Sequence, residues 1–257
     1  MVPAFVIRGG TVAGRRHLQA GRNNQDAFAW RQGEQGLVAA VCDGCSSGAH
    51  SELGARLGCE LLVQALFEAL SSPTCAELVE GAAGEGAGMR AGPLEALEQA
   101  QNGVLGALSR LACAMGGAAP GSPSFLHALA EHFLFTVVGA ALTEQRAFAF
   151  ALGDGALAVN GALERLGPFP GNAPPYLSYP LAEAGPVALQ LRPLPAPGDL
   201  SSIVLATDGA AGLDLTPFVD DPRVLANPDM VRRLLWMQGR HQKLEDDATL
   251  VVIRRAP

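Results

Sequence analysis

The chain has 257 residues, 49% hydrophobic and 17% charged, with a formal net charge of −7. A chain of this length buries a core that needs no disulfides. Its acidic balance argues against a nucleic-acid binder, which needs a basic face, and no run of roughly 18 apolar residues suggests a membrane span. The five cysteines form an odd set, and residues 1–10 lack the basic segment and long apolar run of a signal peptide. A reduced, soluble, cytoplasmic protein is therefore expected.

Residues 3–8 read as a short strand, followed by a polar loop over 9–24. Residues 26–30 and 36–42 form a strand hairpin around the turn at 33–36, and the near-continuous apolar run 37–42 suits a strand covered on both faces. The period then changes. Leu53, Leu57, Leu61, Leu62, Ala65, Leu66 and Ala69 lie on one stripe of a helix within 46–70. A Gly/Ala/Glu-rich connection is expected at 81–92, a second helix at 93–115 with Pro93 in its first turn, and a loop at 116–124.

Strands return at 133–142 and 146–152, then at 156–160 and 163–165 around the turn signal Asn160-Gly161. A Pro-rich loop at 168–180, strands at 187–191, 202–207 and 249–254, and a short helix at 230–238 complete the reading. Hairpin-linked strands with helices in separate segments predict one α+β domain over 1–257. Its form is a four-layer α-β-β-α sandwich, two antiparallel sheets flanked by helices.

The acidic residues cluster at strand ends. Asp43-Gly44 follows 38–42, Gly153-Asp154-Gly155 follows 148–152, Asp208-Gly209 follows 203–207, Asp246-Asp247 precedes 248–253, and Asp26 follows Asn23-Asn24-Gln25. A strand end holds a carboxylate rigidly, and an adjacent glycine lets the backbone turn and expose a carbonyl. Converging carboxylates repel one another and need a cation, and all-oxygen ligation suits Mg²⁺ or Mn²⁺.

Asn24-Gln25-Asp26, Val41-Cys42-Asp43-Gly44, Leu152-Gly153-Asp154-Gly155, Ala206-Thr207-Asp208-Gly209 and Asp246-Asp247-Ala248-Thr249 resemble, in order, the motifs of the metal-dependent type 2C protein phosphatases. The resemblance spans residues 21–253. It implies two ions at one end of the sandwich, bridged by Asp43. Asp208 and Asp246 would ligate the first, and the Gly44 carbonyl the second. Asp26 would support the second ion directly or through water. Asp154, with Asp208, falls where some bacterial relatives hold a third. The implied activity is hydrolysis of phosphoserine and phosphothreonine in proteins by a metal-activated water, opposing a serine/threonine kinase.

Two departures stand out. Gln25 replaces a frequent Glu, and a phosphate-binding Arg is expected where Gly21 stands, which leaves Arg22, Arg16 and His17 as substitutes. They keep open an alternative, a catalytically weak phosphatase-like binding module. A second alternative is a serine hydrolase in which Gly44-Cys45-Ser46-Ser47-Gly48 is a nucleophile elbow, with Asp208 and His241 completing a triad. It leaves Asp43, Asp154 and Asp246 without a role. Cys42 and Cys45 match Cys-x-x-Cys, but a zinc site would need a second pair.

Overall fold

The computed structural model describes residues 5–71, 92–116, 119–242 and 244–256. Cys75, residues 3–4 of the expected first strand and residues 81–91 of the expected connection lie outside them. In chain order the elements begin with β1 (Phe5–Val12), α1 (Arg15–Ala20), β2 (Asp26–Gly33), β3 (Gly36–Gly44), α2 (Glu52–Ser71), α3 (Pro93–Gly116) and α4 (Pro123–His132). Then come β4 (Phe135–Thr143), β5 (Ala147–Leu152), β6 (Gly155–Val159), β7 (Ala162–Leu166), β8 (Gln190–Pro193) and β9 (Ser202–Ala206). The chain closes with α5 (Thr216–Asp220), α6 (Arg223–Ala226), α7 (Met230–Gln242) and β10 (Ala248–Arg255).

The strands form two five-stranded sheets, ordered β1-β10-β9-β6-β7 and β2-β3-β4-β5-β8. Every pairing within them is antiparallel. Alternation along β3 explains why they stack. Leu37, Ala39 and Val41 point into a layer shared with Ile203, Leu205, Val251 and Ile253 of the other sheet. Val38, Ala40 and Cys42 point the other way, onto Leu62, Leu66 and Val104 of α2 and α3. The outer face of the first sheet, through Val204, Leu250 and Val252, is covered by Phe218, Val231 and Leu235 of α5 and α7. Three apolar layers separate four layers of structure, as expected from the strand and helix order.

The differences from the sequence reading have local causes. β1 runs on to Val12 through Gly9-Gly10, which reads as a loop. Here the glycines serve close packing: a Cβ on Gly10 would lie 2.4 Å from the Arg232 nitrogen of α7. α1 arises inside an expected loop, whereas α4 starts at the end of the loop expected at 116–124 and runs through residues 125–132, for which no element is expected; Ser122 caps it by accepting from the Phe125 N–H at 3.3 Å. The strand expected at 187–191 is displaced to Gln190–Pro193 at the sheet edge. α2 starts at Glu52, after a looped stretch that holds Ser46. Among the described residues, no helix is long and apolar enough to cross a membrane.

Candidate active site

The alternation that builds the inter-sheet layer also selects what stands at its end. The inward positions of β2 and β3 finish at Asp26 and Asp43, which face each other in register. Thr136 lies opposite Asp43 on β4. From the other sheet, Thr11 and Thr249 are register partners on β1 and β10, and Thr207 follows β9. One end of the sandwich therefore exchanges its aliphatic filling for carboxylates and hydroxyls.

Hydrogen bonds join the two sheets there. Thr207 Oγ1 donates to Asp26 Oδ2 at 2.8 Å and accepts from the Thr249 N–H at 3.0 Å. Thr11 Oγ1 accepts from Thr249 Oγ1 at 2.6 Å and from Asn24 Nδ2 at 2.7 Å. Asn24 Oδ1 accepts from the Asp26 N–H at 2.9 Å, which closes the chain of contacts. Asp26 is 3% exposed, yet its Oδ1 is buried without a hydrogen-bond partner. An orphaned buried carboxylate oxygen is costly unless something else engages it.

Loops bring the other acids to the same end. Asp154 lies between Gly153 and Gly155, whose φ values of 91° and 131° suit glycine. Asp208 opens a 3-10 turn one residue after β9. Asp246 Oδ1 accepts from the Asp247 N–H at 2.9 Å, which fixes the loop before β10. Glycines let this loop sit against its neighbours. A Cβ on Gly14 would come within 2.1 Å of the Asp246 carbonyl carbon, and one on Gly209 within 1.9 Å of the Asp247 oxygen.

The acids perturb each other. Burial, then the charges of Asp26 and Asp208, push the Asp43 carboxyl well above the usual range. Burial raises Asp26 to about 7, with Asp247 and Asp208 adding to the shift and the Thr207 hydroxyl opposing it. Asp154 rises to about 6 through burial and the Asp208 charge. Asp208 is raised by burial and Asp246, and lowered by its hydrogen bond with Asp43. Among the described residues, no arginine or lysine is ion-paired with Asp26, Asp43, Asp154, Asp208 or Asp246.

An uncompensated all-oxygen cluster with an orphaned oxygen fits a hard divalent cation such as Mg²⁺ or Mn²⁺. Among the described residues, no three His, Cys, Asp or Glu side chains already converge on one ligand point. The acids are gathered at one end of the sandwich without being closed around a centre.

The bases expected to grip phosphate are engaged differently. Arg22 donates to the carbonyls of Ser46 and Gly48, each at 2.8 Å, and braces the loop after Gly44. His17 is buried, its Nδ1 2.6 Å from Asp247 Oδ2. Arg16 is exposed, 3.8 Å from Glu245. Gln25 is also buried, with Nε2 donating to the Gly48 carbonyl at 2.9 Å.

Sequence reasoning missed the role of Asp247. Its carboxylate accepts from the Gly14 and Gln25 N–H groups at 2.8 and 2.6 Å besides meeting His17, so it ties α1, the β2 entry and β10 together. The doublet Asp246-Asp247 was its one local signal; the partners are more than 200 residues away. Ser46 follows β3 without a sharp strand-to-helix turn, His241 belongs to α7 over the other sheet, and Asp208 is bonded to Asp43. Cys42, Cys45, Cys59 and Cys113 are free thiols.

Residues 13–246 match the family profile described as Protein phosphatase 2C. No curated protein matches the chain in sequence. Among solved structures, a bacterial serine phosphatase superposes with a TM-score of 0.55 at 14% identity, covering 97% of each chain. The serine/threonine phosphatase Stp1 from Staphylococcus aureus gives 0.55 at 13% identity, covering 100% of this chain and 97% of that one. RsbX in complex with magnesium gives 0.51 at 13% identity, covering 98% and 96%.

Proposed function

The chain belongs to the protein phosphatase 2C family, and from that premise we propose that it hydrolyses phosphoserine and phosphothreonine in proteins with the help of Mn²⁺ or Mg²⁺. The observation that carries this reading is the Asp26–Asp43 pair. It is a cross-strand carboxylate pair that, among the described residues, is ion-paired with no arginine or lysine, and one of its oxygens is buried and unpartnered.

Asp43, Asp208 and Asp246 are the proposed ligands of a first ion. Asp43 also serves a second, with the Gly44 carbonyl and with Asp26 directly or through water. Asp154, beside Asp208, is the proposed ligand for a third. Bound ions of this kind supply an acidified water for in-line attack on phosphorus and neutralise the phosphoryl oxygens.

The chain's own contribution is placement. β2 and β3 hold Asp26 and Asp43 on one face, Thr207 orients Asp26 by its hydrogen bond, and Asp247 fixes the loop that presents Asp246. Arg22 acts in this reading through the loop that it braces, because two of its nitrogens already bond to Ser46 and Gly48. The substrate phosphate then depends on cations more than on guanidinium.

The same engagement of Arg22 favours one second reading, a slow phosphatase-like module that retains phosphoproteins. Phosphate release from matched phosphoserine, phosphothreonine and phosphotyrosine peptides, with Mn²⁺ and with chelator, separates them. The proposal expects chelator-sensitive turnover of the first two peptides. Binding without turnover supports the module.

A further inference from the structure

On the outer side of the Asp246 loop, α1 and α7 flank a groove of about 290 Å³. Val12, Leu18, Trp236 and Leu244 supply its apolar lining, and Arg15 and Arg240 stand at its edges. Leu18 is 67% exposed and Trp236 53%, so large apolar groups face water there. Neighbouring Met237 is 53% exposed on the same helix. A cluster of this kind rimmed by charge is characteristic of an interaction surface.

The charge around the groove opposes that of the chain. Arg15 and Arg16 share one acid, Glu245, and Arg232 and Arg233 share another, Asp229. The Arg240 guanidinium lies 4.8 Å from the centroid of the Trp236 ring. Among the described residues, no carboxylate is ion-paired with Arg240. A chain of net charge −7 thus turns a basic and aromatic strip outward at this face. Trp and Arg are also the residue types that most often dominate binding energy at interfaces.

The groove is coupled to the site through its floor. Arg15 and Arg16 donate their backbone N–H groups to the Leu244 and Glu245 carbonyls at 3.0 and 3.1 Å. Leu244 thus lies two positions before Asp246 on a backbone that α1 holds in place. A segment seated over Leu244 and Trp236 would lie beside the loop that presents Asp246.

We propose that this groove docks an acidic segment of the phosphoprotein substrate, inserting one large apolar side chain between Leu18 and Trp236 and setting its carboxylates against Arg240 and Arg15. Charge complementarity selects this occupant: five arginines at this face stand against two acids, Glu245 and Asp229, so a basic segment would add to an excess of positive charge, and a neutral apolar one would leave Arg240 without a carboxylate. The inference rests on the phosphatase reading for its choice of a substrate, while the groove itself is testable without catalysis.

The binding test uses the full chain in chelator. Twelve-residue acidic peptides with a central Leu, Ile, Phe or Trp are titrated against it by anisotropy, alongside the same peptides with lysine in place of each acid. Members of the acidic set should bind, and Arg240→Glu and Trp236→Ala should each weaken them at least about tenfold. Both positions are exposed, and unchanged circular dichroism and melting temperature would establish that the variants remain folded. In the kinetic arm, fusing a bound peptide to a phosphoserine substrate should lower KM several-fold with kcat unchanged, and Arg240→Glu should abolish that gain alone.

Absence of binding by every acidic peptide would overturn the proposal. So would equal binding of the lysine set, or binding that both variants preserve. Binding lost in the variants, together with no turnover of any phosphopeptide, would uphold the docking surface and reject the phosphatase reading. Binding lost in the variants with KM unaffected by fusion would reject the substrate as the occupant.

Discussion

Asp26 and Asp43 stand directly opposite each other on adjacent antiparallel strands, both facing the space between the sheets. Like charges at directly opposed sheet positions destabilise a fold, and burial deepens the conflict. Neutralising one member should therefore separate function from stability. Asp43→Asn is expected to lower Mn²⁺-dependent phosphate release by at least about 10²-fold. In chelator, the same variant should melt at or above the wild-type temperature. Calorimetry with and without Mn²⁺ checks both halves, since the variant should also lose most of the stabilisation by metal.

The same acids set a pH dependence. Asp26 titrates at about 7 and Asp154 at about 6 in the folded protein, both above the usual value of 3.8. The folded state therefore holds these protons longer than the unfolded chain. Their contribution to stability is fully present below about pH 3.8 and is lost as pH rises through about 6 and 7. The metal-free protein should thus lose stability from these groups between about pH 4 and about pH 8, and Asp26→Asn should flatten the profile. Mn²⁺ should raise the melting temperature more at about pH 8 than at about pH 5, because deprotonated carboxylates are the better ligands. Thermal melts across this range in chelator and in Mn²⁺ provide the check.

Two adjacent acids should give opposite phenotypes. Asp247 is buried and accepts from the Gly14 and Gln25 N–H groups and meets His17, so Asp247→Ala removes a hub of α1, β2 and β10. It should cost about 3–5 kcal/mol. Asp246 is half-buried and, among the described residues, its carboxylate accepts from the next N–H alone. Asp246→Ala should cost under about 1.5 kcal/mol and still remove metal-dependent activity. Denaturant titration beside phosphate release distinguishes the two.

Gly58 makes a prediction against intrinsic propensity. Replacing a helix-interior glycine with alanine ordinarily stabilises by up to about 1 kcal/mol. Here a Cβ would lie 2.0 Å from Phe135 Cζ, and the Phe135 ring is fully buried. Gly58→Ala should therefore destabilise by about 1–3 kcal/mol, measurable as a lower urea midpoint with an unchanged slope.

Legibility followed the range of the interactions. The alternation of β3 and the long stripes of α2 and α3 are written within single elements, and the two-sheet sandwich follows from them. The strand-end position of Asp43, Asp154 and Asp208 was readable for the same reason, since each follows an apolar run directly. Gly9-Gly10 misled because glycine marks both turns and close packing, and only the Arg232 backbone decides which applies. α1 is short and lacks a side-chain cap at Gly14, so it carries little local signal. The burial of His17 was invisible because Asp247 lies 230 positions away. Arg22 likewise looked free until the loop carbonyls of Ser46 and Gly48 were placed beside it.

The most direct test counts bound Mn²⁺ by equilibrium dialysis and measures phosphate release from a phosphothreonine peptide on the same samples of wild type and Asp43→Asn. The account predicts at least two ions on the wild type, fewer on the variant, and turnover that appears with metal occupancy and is lost with Asp43. Full turnover by the variant, or wild-type turnover that survives complete removal of divalent cations, would contradict it.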